Sequence, residues 1–231
     1  MNFVTSIRMA AVFSLLSAAA SAQTVAIDVT KLENFDFVGL KASVVEHRGK
    51  PALRVVEAEP GKAGPAADPG TIAILTRGLV QQGEIEFEVA GQPASGASDS
   101  ARGFVGIAFR VQGAGERYEY IYIRPTNGRA EDQVRRNHSV QYSSHPDYPW
   151  HRLRKEEPEK YESYADLQPG AWTKMKVVFS GTKARLYLHG SAQPNLVVND
   201  LKLGESSGRV ALWVGIEAEA YFTNLRITPR P

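Results

Sequence analysis

The chain has 231 residues, with 27 Lys and Arg against 25 Asp and Glu and no cysteine. A formal net charge of +2 is too balanced for nucleic acid or an anionic membrane surface to be the main partner. The lack of cysteine excludes a disulfide framework, thiol chemistry and a lipid-anchored cysteine, so stability must come from a hydrophobic core, which a chain of this length can build.

The first 22 residues read as an address. Arg8 gives a positive start, residues 9–20 are apolar or small and too short to span a bilayer, and Ala20-Ser21-Ala22 fits a small-x-small cleavage site. This predicts a signal peptide over 1–22, a mature domain over 23–231, and a periplasmic or secreted location. No later segment is apolar for long enough to insert in a membrane.

The mature chain reads almost entirely as short strands. Residues 24–29 alternate, and 42–47 and 52–57 flank a turn at Arg48-Gly49-Lys50. A Gly-, Pro- and Ala-rich loop over 61–70 precedes strands at 71–76 and 84–90, and a second such loop covers 91–102. Strands at 103–111 and 117–124 form a hairpin. Residues 130–170 show no sustained periodicity and are too long for a simple turn, so they are expected to be functional or to carry short elements, with a turn near 158–164. Strands at 172–180 and 184–190 pair across Gly181-Thr182-Lys183, and 196–198, 209–217 and 220–228 finish the chain.

Many short strands with turn signals and no strong helix predict an all-β sandwich of two antiparallel sheets. Period-two alternation assigns the buried faces: Val105, Ile107, Phe109 and Val111; Met175, Val177 and Phe179; Leu186 and Leu188; Val210, Leu212, Val214 and Ile216. Glu84, Glu86 and Glu88 share one strand face and are expected on the solvated side, with Ile85, Phe87 and Val89 inward.

The densest chemistry lies in 117–152. On the strand at its start, Ile121 and Ile123 take one face, while Tyr118, Tyr120, Tyr122 and Arg124 take the other. Downstream come Asn127, Arg129, Arg135, Arg136, His138, Gln141, His145, Tyr148 and Trp150. If the strands carrying Gly106, Ala108 and Arg110, then Tyr120 and Tyr122, then Ala211 and Trp213 share a sheet, small residues floor a groove walled by aromatics and arginines. Tyr120, Tyr122, Trp213, Arg110 and Arg124 are the candidate platform, with Asn127, Arg129, His138, Gln141 and His145 as the rim. The bland alternative packs the aromatics beneath residues 130–170 as a second small core.

His138 and His145 are also the candidates for acid–base catalysis near neutral pH. No His-Glu-x-x-His spacing, phosphate-binding loop or Gly-x-Ser-x-Gly elbow occurs, so no metal or cofactor is assigned.

Gly103-Phe-Val-Gly-Ile-Ala-Phe-Arg110, Tyr118-Glu-Tyr-Ile-Tyr-Ile-Arg124, Trp172-Thr-Lys-Met-Lys-Val-Val-Phe179 and Gly208-Arg-Val-Ala-Leu-Trp-Val-Gly215 resemble strands of the concanavalin A-like lectin/glucanase superfamily. Within it the chain is most similar to laminin-G-like and 3-keto-disaccharide hydrolase-like domains of secreted bacterial proteins. The resemblance covers essentially the whole mature chain. It implies a jelly-roll sandwich with one concave sheet and a glycan-related role at that sheet, and residues 130–170 are expected to form a long loop over the concave face. The superfamily admits calcium, but no acidic ligand loop here calls for it. The glucanase motif Glu-x-Asp-x-x-Glu is absent from this sequence. The leading expectation is a glycan-binding module, with arginines favouring an acidic sugar. A sugar-cleaving enzyme using loop histidines or carboxylates, and an adhesion module that binds a protein, are the competing readings.

Overall fold

The computed structural model describes residues 23–59 and 71–230, so the expected signal peptide and the 61–70 loop lie outside the described residues. In chain order the elements are β1 (Val25–Ile27), β2 (Phe35–Val38), β3 (Leu40–His47), β4 (Lys50–Glu57), β5 (Ile72–Leu75), β6 (Gly83–Pro93), β7 (Val105–Gln112), β8 (Arg117–Ile123), α1 (Gln133–Asn137), β9 (Val140–His145), α2 (Trp150–Glu156), β10 (Glu162–Ser163), β11 (Thr173–Ser180), β12 (Lys183–Leu188), β13 (Leu196–Val198), β14 (Arg209–Val214) and β15 (Ala218–Pro229). They form two antiparallel sheets. The first runs β13-β12-β11-β6-β15-β4-β3, with β1 also paired to β15, and the second runs β10-β9-β8-β7-β14-β5-β2.

Local chemistry explains the register. Arg48 and Gly49 both take positive φ, the backbone of a two-residue turn whose twist matches its strands, and β3 pairs with β4 from His47↔Lys50 outward. The inward faces of the two sheets close on one core. Phe109 meets Phe179 with ring centroids 4.6 Å apart, and Ile85, Phe87 and Val89 lie at or near zero exposure beside Met175 and Val177. Glu84, Glu86 and Glu88 point the other way, toward Arg230, Lys174 and Lys50 respectively, as a solvated face should.

Two inward assignments are corrected. A β-bulge in β7 between Phe109 and Gln112 adds a residue, so Val111 moves from the core to the opposite face of the sheet. Ile216 lies beyond β14, in the turn before β15, and is only half-buried.

Residues 130–170 resolve into elements of their own. Asp132 caps α1 by accepting from the backbone N–H groups of Val134 and Arg135. β9 pairs with β8 over its full length, from Tyr118↔His145 to Ile123↔Val140, and β10 forms the sheet edge. α2 is anchored through Leu153, which is buried in the main core. This stretch therefore widens the second sheet: Val140 and Tyr142 face the core, and Gln141, Ser143 and His145 take the outer face.

Candidate functional site: the outer face of the second sheet

The strands that the groove requires are neighbours, since β8, β7 and β14 lie side by side. Register then builds the outer face row by row. One row crosses the sheet as Glu162, Gln141, Tyr122, Gly106, Trp213 and Ile72. The next runs Ser143, Tyr120, Ala108, Ala211 and Ile74. His145 stands opposite Tyr118 at the end of β9.

The rings pack as a second apolar cluster, separate from the main core. Tyr122 and Trp213 approach to 4.7 Å, Tyr120 and Trp213 to 5.0 Å, and Tyr118 lies parallel to the His145 ring at 4.7 Å. Gly106 sits between Tyr122 and Trp213 and makes this approach possible. A Cβ there would fall 2.2 Å from the Ile121 carbonyl oxygen and 2.6 Å from the Tyr122 Cα. Tyr120, Tyr122 and Trp213 are buried. Trp213 Nε1 and Ser143 Oγ are buried with no hydrogen-bond partner among the described residues.

Arg124 follows β8 and keeps the parity of Tyr122, so its guanidinium lies along the same face. It donates to the Tyr122 hydroxyl at 2.9 Å, to Gln141 Oε1 at 3.2 Å and to Glu162 Oε1 at 3.3 Å, and it lies over the rings of Phe104, Tyr122 and Trp150. Glu162 also accepts from Arg154, whose Nε lies 2.9 Å from Oε2. His138 Nε2 is 3.5 Å from the same carboxylate. Burial lowers the His138 pKa below the usual imidazole value; the charges of Arg154 and Arg124 add to this and Glu162 opposes it. His138 is therefore neutral near pH 7, and its contact with Glu162 is not an ion pair there.

The candidates thus separate. Tyr120, Tyr122, Trp213, Arg124 and Gln141 come together on one face, and His138 borders them beside Glu162. His145 lies at the other end of β9 against Tyr118, so the two histidines do not converge on one reacting centre. Asn127 is buried in the turn after Arg124 and donates to the His138 carbonyl. Arg129 is exposed and forms a two-pronged pair with Asp166.

Arg110 does not join the platform. It lies in the β7 bulge at φ 55, and the extra residue turns its side chain off the aromatic face. The wholly buried guanidinium instead donates to the backbone carbonyls of Gln81, Gly181 and Gly204 and lies over the Phe179 ring.

Sequence reasoning overlooked Glu162, Arg154 and Glu119. Glu119 has the parity of Ile121 and Ile123, which was the available signal for burial. Its carboxylate accepts from the Tyr142 hydroxyl at 2.7 Å and from the Leu203 N–H at 2.7 Å. Burial raises its pKa, against the lowering effects of these bonds and of Arg110. A carboxylate whose folded-state pKa is raised contributes most below its unfolded value, and that contribution is lost as pH rises through the folded value. Glu119→Gln is accordingly expected to flatten the decline in stability above the ordinary carboxylate range. Melting temperatures across that pH range check this, and an unchanged slope would remove Glu119 as its source.

No family model and no curated protein matches the chain. Many solved structures are similar in fold, among them the following three. A Bacillus subtilis protein of unknown function with a galectin-like fold is 8% identical, with TM-score 0.55 over 92% of this chain and 99% of that one. The Crh5 transglycosylase is 12% identical, with TM-score 0.51 over 92% and 87% of the two chains. A sialidase is 9% identical, with TM-score 0.50 over 91% of this chain and 19% of its own. At these identities the likeness is one of fold alone, an all-β sandwich of two antiparallel sheets.

Proposed function

We propose that this is a secreted protein, released from its leader after Ala22, that binds a carbohydrate on the outer face of the second sheet. The observation that carries the reading is the contrast between the two outer faces. That of the first sheet bears paired charges. That of the second bears tyrosines and a tryptophan around Gly106, Ala108 and Ala211, bordered by Arg124, Gln141 and Glu162. Tyr120, Tyr122 and Trp213 are buried as a second small core, so a sugar would stack its C–H faces on them only after displacing what covers them, while guanidinium and amide groups bond its hydroxyls. The shared fold supports the reading without choosing an activity. The narrower resemblance to laminin-G-like and 3-keto-disaccharide hydrolase-like domains belongs to the same proposal.

A sugar-cleaving enzyme is the second reading, favoured by His138 standing beside the Glu162 carboxylate. A glycan array on the chain from Gln23, with mass spectrometry of each bound glycan, separates the two. Retention of intact glycans is expected. Shortened or altered glycans would make the protein an enzyme, and retention of none would reject the carbohydrate reading.

A further inference from the structure

The aromatic row ends, at Arg124, in more positive charge than its buried carboxylate balances. Glu162 is shared by Arg124 and Arg154, while His138 beside it is neutral near pH 7, so one guanidinium is in excess. The exposed Glu159 is another acid whose charge reaches His138. The Arg124 side chain is 5% exposed, and its Nε–H is buried with no acceptor among the described residues. A buried donor left unpaired costs on the order of 1–3 kcal/mol, so these groups are suited to a ligand that completes them. A second basic pair, Arg102 and Arg135, lies next to the turn that follows Arg124. Thr126, two residues after Arg124, donates to the Arg102 carbonyl, and Arg135 of α1 stands close enough for its charge to act on Arg102. Arg135 Nε is also buried without a partner among the described residues. This end is reachable: Arg154 is 32% exposed, and Trp150, between the two guanidinium groups of Arg124 and Arg154, is half-buried.

We propose that the glycan is anionic and that an oxyanion group on it, a carboxylate or a sulfate, is seated at the Arg124–Arg154 end of the row, beside Trp150. This rests on the carbohydrate reading above and adds the chemical class of the ligand. The Arg154 fork already grips Glu162, so the oxyanion would be met by single charge-assisted hydrogen bonds from Arg124 Nε and from the Arg154 amino group that Glu162 does not hold, while a neutral sugar leaves the excess charge uncompensated.

The test is an array of uronate-containing oligosaccharides, their carboxyl-reduced neutral counterparts and sulfated oligosaccharides, followed by calorimetry on the tightest ligand. An acidic ligand is expected to bind at least about tenfold tighter than its neutral counterpart, and to weaken between about 50 and 300 mM salt. Arg154→Gln is expected to weaken the acidic ligand about tenfold and leave the neutral one nearly unchanged. Arg135→Gln tests the adjoining pair in the same way. If either variant fails to fold, the acid-to-neutral ratio and salt dependence of the unaltered protein still decide. Preference for carboxylated over sulfated ligands, or the reverse, identifies the group. Equal, salt-insensitive binding of acidic and neutral forms would overturn the anionic ligand and leave the carbohydrate reading standing; binding of no glycan would overturn both.

Discussion

Arg110→Met is expected to destabilise the protein by about 3–5 kcal/mol, the cost of breaking a buried charged network from one side. The methionine fills much of the same space, so the loss comes from the groups left behind. The carbonyls of Gln81, Gly181 and Gly204 belong to three separate segments, and Arg110 is the donor that joins them. Its positive charge also acts on the buried Glu119 carboxylate, which would then keep its hydrogen bonds from Tyr142, Leu203 and Ser144 but lose its neighbouring cation. Combining Arg110→Met with Glu119→Gln should therefore cost less than the sum of the two single changes, since the second removes the uncompensated charge. Chemical denaturation of the four proteins measures both quantities. A loss below about 1 kcal/mol for Arg110→Met would show that water satisfies those carbonyls and that the network is dispensable.

Arg110 also marks where the sequence stops being legible. Period-two alternation places Val105, Ile107 and Phe109 in the core, and the structure agrees. The same counting carried past Phe109 places Arg110 among the aromatics and Val111 in the core, and one bulge residue reverses both. A bulge is a backbone choice imposed by the partner strands, and Arg110 is not a residue whose type announces positive φ. The strands of the main core were legible because each is long and apolar on one side. β9 was hidden because its outer positions are Gln141, Ser143 and His145, polar residues that read as loop unless the face they join is known. Glu162 and Arg154 were hidden for a different reason. They meet Arg124 only because β10 pairs beside β9 and α2 packs on its edge, contacts that depend on tertiary structure. What the sequence did carry was the aromatic set itself, since Tyr118, Tyr120 and Tyr122 keep strict alternation and Trp213 falls in register with Gly106 one strand away.

Replacing Tyr122 and Trp213 together by leucine is expected to abolish glycan retention, with a loss of at least about 2 kcal/mol in binding, or roughly thirtyfold, from either ring alone. Leucine is preferred to alanine because both side chains are buried, and truncating a buried aromatic to alanine costs about 3–5 kcal/mol of stability. That loss would confuse unfolding with lost binding. Leucine keeps an apolar side chain above Gly106 while removing the flat ring, the indole N–H and the hydroxyl that accepts from Arg124. Tyr122→Phe isolates the last of these, since it keeps the ring and removes only the hydroxyl. If the ring is the sugar platform, Tyr122→Phe retains most binding and the leucine pair loses it. If the hydroxyl matters chiefly by fixing Arg124, Tyr122→Phe weakens anionic ligands more than neutral ones, because the guanidinium loses one of its anchors while the ring surface is unchanged. A folded leucine double variant that holds its glycan as tightly as the parent would move the site off this face, and with it the reading that the tyrosines, Trp213 and Arg124 form one recognition surface.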